Sequence, residues 1–225
     1  YYGLSHVLQD VSLEVDKDEI VTLVGRNGAG KTTTLKSILG ITPVSSGRVL
    51  FKDEDISTLP THLIVQHGIA YVPEERRIIP GLSVRENLKL ALLKSKNRDR
   101  EDEMIDRAGK YFPVLHDRLS QEGALLSGGE QQMLAIARCL VTDPDVMLID
   151  EPTEGLMPLL VEIIGEMIQT INREGVTILL VEQNMEMALS ISQRAYVMDE
   201  GRIQSFGPAQ EILADEEIQR RYLSV

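Results

Sequence analysis

Gly25-Arg26-Asn27-Gly28-Ala29-Gly30-Lys31-Thr32-Thr33 sets backbone freedom, a primary ammonium and two hydroxyls within nine residues. Glycines at these spacings let main-chain N–H groups wrap an anion, and a helix opening near Gly30 adds its positive end to the cradle. That chemistry is phosphate binding. In the pattern G-x-x-x-x-G-K-T, Lys31 reaches the β and γ phosphates of a nucleotide and the Thr32 hydroxyl ligates Mg²⁺. A second constellation, Val146-Met147-Leu148-Ile149-Asp150-Glu151, ends an apolar run in two carboxylates. An acid at the carboxyl end of a buried strand lies where open α/β sheets bind ligands, so Asp150 is expected beside the same Mg²⁺. Glu151, one residue on, is placed to orient or deprotonate an attacking water.

Between these two lies Leu126-Ser127-Gly128-Gly129-Glu130-Gln131-Gln132. Ser127 and Glu130 have the spacing of a capping box opening a core helix. Two glycines in a first turn cost about 1 kcal/mol each relative to Ala, and they bare N–H donors. Such a helix start is a second anion site, although the chain has no motif for a second nucleotide.

The elements that must position these groups follow from periodicity. Residues 4–24 read as short strands, with Val11, Leu13 and Val15 alternating before the apolar run Ile20–Val24. A strand is expected over Gly47–Phe51, a short helix from Leu59-Pro60 to Gly68, and a strand over Ile69–Val72. Ser83 and Glu86 fit a capping box, and residues 84–140 contain no convincing strand. After residue 145 the order is strand 146–150, helix 158–173, strand 176–181, helix 185–192 and strand 195–199. That alternation reads as parallel α/β. Asp199-Glu200-Gly201 closes a hairpin, and Pro208 opens a polar terminal helix ending at Tyr222-Leu223.

Composition narrows the function classes. With 43% hydrophobic residues in 225, the chain can bury a sizeable core as one lobed domain. No run approaches 18 apolar residues, so no membrane span is expected. No leader opens the chain, and Tyr1 in place of Met suggests that a few residues precede it. A net charge of −12 argues against a nucleic-acid partner, which needs clustered Lys and Arg. Cys139 is the single cysteine, on an apolar helical face, so a buried inert thiol in a reducing cytosol fits.

Taken together, these markers resemble the ATP-binding-cassette ATPases, and Leu126–Gln132 looks like that family's signature motif. The resemblance covers essentially the whole chain. It implies a RecA-like P-loop α/β core with an antiparallel β subdomain and an inserted α-helical signature subdomain. One domain is then expected over 1–225, with 1–82 and 141–225 as core and 83–140 as the helical arm. It further implies a head-to-tail dimer in which Ser127, Gly128, Gly129 and Glu130 of one protomer close over the γ-phosphate of ATP held by Gly25, Arg26, Asn27, Gly28, Ala29, Gly30, Lys31, Thr32 and Thr33 of the other. Tyr2 matches the family's adenine-stacking aromatic residue. Thr32, Glu74 and Asp150 are the implied Mg²⁺ ligands, and Glu151 and Gln183 the implied catalytic pair.

More locally, Val72-Pro73-Glu74-Glu75-Arg76-Arg77, Leu82–Leu88, Glu151–Leu156 and Val181-Glu182-Gln183-Asn184 look like the second ATPase subunit of branched-chain amino-acid importers. A related branch serves urea and short amides. The partners implied are a second ATPase subunit, identical or not, a membrane permease and, indirectly, a solute-binding protein, with the chain peripheral on the inner face of the cell membrane. Three positions depart from the general family pattern. Glu74 replaces Gln, Met157 replaces Asp, and Gln183 replaces His. Only His could carry a positive charge near neutral pH, so Gln183 is the weaker transition-state contact. Asymmetric specialisation with a His-bearing partner is the resulting expectation. The competing classes are a soluble non-transport ATPase and a nucleotide-binding regulatory module. The first would show a second cassette, a coiled-coil insertion or a basic surface, and none is present. Intact Lys31, Asp150 and Glu151 favour an enzyme over the second.

Overall fold

Strand β1 (Ile20–Val24) is buried at all five positions, which is why it reads as an uninterrupted apolar run rather than an alternating one. A computed structural model describes residues 7–223. Around β1 lies a six-stranded sheet in the order β4-β5-β6-β1-β7-β8, made of β4 (Ile69–Val72), β5 (Val146–Asp150), β6 (Thr177–Glu182), β7 (Arg194–Asp199) and β8 (Arg202–Pro208). The first five are parallel, and β8 returns antiparallel through the Asp199–Gly201 hairpin. Strand β6 sits between β1 and β5, so one strand separates the glycine loop from Asp150.

Alternate side chains of each strand enter opposite cores. Val21, Leu23, Leu148, Leu179 and Val181 pack with Leu35 of α1 (Lys31–Ile38), Leu39 at its C-terminal cap and Ile64 of α2 (Thr61–Gln66). Ile20, Val24, Met147, Ile149, Ile178 and Leu180 pack on the other face with Ile164, Ile168 and Ile171 of α7 (Pro158–Arg173) and with α8 (Met185–Ile191). Burying one such aliphatic side chain contributes about 1.5–3 kcal/mol, enough to fix the register of each strand.

The segment after β4 is all-helical: α3 (Val84–Leu92), α4 (Glu101–Tyr111), α5 (Pro113–His116) and α6 (Gly128–Leu140). Leu88, Ile105, Phe112 and Leu134 join it to the second core. Both expected capping boxes are formed, with Ser83 N donating to Glu86 at 2.8 Å and Ser127 N donating to Glu130 at 2.9 Å.

Some expectations are corrected. No strand forms before Ile20 among the described residues; Val11, Leu13 and Val15 alternate inward but find no sheet partner there. The Gly47–Phe51 strand shrinks to β2 (Leu50–Phe51), paired with β3 (Glu54–Asp55) through a turn in which Lys52 and Asp53 both take positive φ. The terminal helix breaks after α9 (Ala209–Ala214), where Asp215 leaves helical geometry and caps a new turn. Strand β8, the returning strand that the expected Asp199–Gly201 hairpin requires, has alternating half-buried and exposed residues.

Candidate active site

The glycine loop joins the end of β1 to α1, as its sequence requires. Gly30 takes φ +111°, a conformation that residues with a side chain rarely adopt, so glycine is favoured there. Helix α1 starts at the next residue, which aims its N–H groups and dipole into the loop. Lys31 is buried and folds back over the loop, donating to the carbonyls of Gly25 at 2.9 Å and Arg26 at 3.3 Å. Its ammonium also pairs with Glu151 at 3.1 Å.

Parallel pairing brings the two motifs together. Asp150 lies opposite Val181 on β6, and Val24 opposite Glu182, so both chain ends open at one edge of the sheet. The Thr32 hydroxyl donates to Asp150 Oδ1 at 2.9 Å. Tyr71 on β4 donates to Asp150 Oδ2 at 2.8 Å. Burial pushes the Asp150 carboxyl up, and the Tyr71 and Thr32 hydrogen bonds oppose that shift. Burial and the Asp150 charge together hold the Tyr71 hydroxyl protonated, as a donor. Two adjacent hard oxygens, Thr32 Oγ1 and Asp150 Oδ1, suit a divalent cation that completes its shell with phosphate and water. Among the described residues no three His, Cys, Asp or Glu side chains converge to cage a metal by themselves.

Glu151 follows at φ +43°, a left-handed conformation that costs a non-glycine residue free energy and that recurs at functional turns. Its N–H is tied to Val181 O at 2.8 Å, so the strain is held by the sheet. Glu74 stands at the rim. Lost hydration first, then a hydrogen bond to Glu154 and the charges of Glu154, Glu151 and Asp150, push its carboxyl above the usual range. Glu74 and Glu154 line one open groove of about 650 Å³ together with Arg76, Ile78, Ala124 and Gln131.

Ser127, Gly128 and Gly129 lie at the start of α6. Gly128 is exposed, with the Arg76 guanidinium beside it, and Arg76 Nε donates to Gln132 Oε1 at 3.2 Å. Gly129 is buried for a packing reason that its sequence alone did not disclose: a Cβ there would meet Leu160 Cδ1 at 2.6 Å. Gln183 is exposed, and its N–H donates to Glu182 Oε2 at 2.9 Å. Met157 is 67% exposed, available to a partner surface. Tyr2 lies outside the described residues. Cys139 is half-buried, its S–H reaches Tyr71 O at 3.1 Å, and burial pushes its thiol up to about 12, so it is inert.

Sequence reading passed over two groups. Tyr71 looked like an ordinary strand residue. Glu182 is 1% exposed and takes four hydrogen bonds, from the N–H and hydroxyl of Thr153 (2.9 and 2.6 Å) and the N–H groups of Gln183 and Asn184 (2.9 and 3.0 Å). Its signal was present: an acid ending the apolar run Thr177–Val181, just as Asp150 ends its own.

The model of the ABC transporter family matches residues 8–154. The high-affinity branched-chain amino acid transport ATP-binding protein BraG of Pseudomonas aeruginosa is 43% identical over 223 residues, covering 99% of this chain and 95% of BraG. The lipopolysaccharide export system ATP-binding protein LptB of Escherichia coli is 40% identical over 225 residues, covering 99% and 92%. Among solved structures, a dimeric post-hydrolysis ATP-binding cassette bound to ADP and Pi superposes with a TM-score of 0.77 at 25% identity, covering 90% of each chain.

Proposed function

Because this chain belongs to the ABC transporter family and is an ATPase coupled to transport, we propose that it powers an importer of branched-chain or other amino acids. In this reading residues 25–33 hold ATP, with Lys31 leaving the Gly25 and Arg26 carbonyls for the β and γ phosphates. Thr32 and Asp150 would hold Mg²⁺, with Glu74 at its rim. The ion neutralises charge on the phosphate oxygens when bound. Tyr71 keeps Asp150 oriented. Glu151 takes the proton of the attacking water, and Gln183 donates to the γ-phosphate.

Two copies, or this chain and a sibling, sandwich the nucleotide. Ser127, Gly128, Gly129 and Glu130 of one protomer close over the phosphate bound by the other, with the Gly128 and Gly129 N–H groups outside the capping box as donors, so only the closed dimer makes both sets of contacts. ATP binding therefore drives closure, and hydrolysis releases it. The helical arm 83–140 transmits the motion to a permease seated against the groove beside Glu74 and Ile78.

One observation carries the catalytic reading: Lys31, Thr32, Asp150 and Glu151 converge at one sheet edge through contacts of 2.9–3.1 Å. The importer assignment is supported by full-length similarity to BraG. Similarity to LptB is nearly as high, so export is the competing direction. Co-purification of the chain with its membrane subunits, followed by uptake of labelled leucine into proteoliposomes with ATP inside or outside, separates the two. Leucine movement towards the ATP-containing side supports import; a permease that moves lipid-linked cargo outward overturns it.

A further inference from the structure

Four donors converge on one buried carboxylate that no step above uses. Glu182 Oε1 accepts from the N–H and hydroxyl of Thr153, in the turn just past Glu151, and Oε2 accepts from the N–H groups of Gln183 and Asn184. Glu182 closes β6, with β5 and Asp150 on one side and β1 and Val24 on the other. It is thus wedged between the acid edge and the glycine loop. A fold that needed only a filler at this place would use an aliphatic residue, since an ionised group at 1% exposure is costly unless fully partnered.

We propose that Glu182 is a positioning residue that locks the Thr153–Gly155 turn to the Gln183 turn, so that Glu151, the partner-facing Met157 segment and Gln183 move as one body around the γ-phosphate. This rests on the ATPase reading above. The lock requires acceptors only. An amide in the same place turns one oxygen into an NH₂ group facing two donors, which separates one turn from the other. The lock also compensates for Gln183, whose uncharged side chain depends on position where a His could rely on charge.

The test uses the full chain, with its permease if the lone chain turns over slowly. Glu182→Gln is expected to lower kcat about tenfold or more while nucleotide KM stays within about twofold, because the glycine loop is untouched. Thr153→Val is expected to lower kcat several-fold, and Thr153→Ser, which keeps the hydroxyl, to recover it. In a Gln183→Ala background, Glu182→Gln costs less than it does in the parent, since part of its effect acts through Gln183 and the rest through Glu151. A loss that multiplies fully in that background, or a change in KM alone, overturns the proposal. Amide exchange at Thr153, Gln183 and Asn184 decides it independently of turnover. Exposure of the turn that faces the new NH₂ group in Glu182→Gln, with 178–181 still protected, supports the lock, and unchanged protection of both turns overturns it. Absence of any hydrolysis by the unmodified chain and complex would instead count against the ATPase reading.

Discussion

Lys31 Nζ stands 3.1 Å from Glu151 Oε1, and both side chains are buried. In the proposed mechanism the cation of the phosphate cradle and the acid assigned to activate water thus hold each other until a nucleotide separates them. Removing one partner of a buried pair strands the other, at a cost of about 3–5 kcal/mol. Lys31→Ala is therefore expected to abolish ATP binding and to lower Tm. Adding Glu151→Gln to it should recover most of the Tm and none of the binding. Calorimetry and a fluorescent ATP analogue read the two effects separately.

Glu151→Gln alone should retain nucleotide binding while slowing turnover at least about a hundredfold, because the proton acceptor is lost and the phosphate contacts are not. The ATP-bound dimer then persists. Size-exclusion chromatography with and without ATP measures it, and a lone subunit at saturating ATP contradicts the sandwich.

Ser127 caps α6 at its exposed start. Ser127→Arg should block closure of the dimer and cut turnover about a hundredfold while binding of ATP by the Gly25–Thr33 loop stays within about threefold. Equal damage to binding would remove the cross-dimer role of this segment.

Glu74 carries a raised carboxyl, so the folded state favours its protonated form. Its contribution to stability is complete below the usual value near 4.5 and is lost as pH rises through the raised one. Glu74→Gln should therefore be more stable than the parent at pH 7, by about 0.5 kcal/mol after solvent screening, with the gain vanishing towards pH 4. Paired thermal melts across that range measure the crossover.

Much of the site was legible because its chemistry is local. Gly25–Thr33 and Val146–Glu151 each carry both the residues and the strand–loop order that place them, and the 146–150 and 158–173 elements match residue for residue. What escaped depends on distant pairing. Tyr71 meets Asp150 only because β4 lies beside β5, and Leu160 dictates Gly129 only because α7 packs on α6. The missing strand before Ile20 has the same origin, since alternation buries side chains without supplying a hydrogen-bonding neighbour.

Interposing β6 between β1 and β5 has a further consequence. Adjacent strands keep a spacing of about 4.8 Å set by main-chain hydrogen bonds, so the gap from cradle to acid is two such steps whatever side chains decorate the rim. Divergence at positions 74, 157 and 183 leaves that distance unchanged, because the ruler that separates lysine from aspartate is written in backbone.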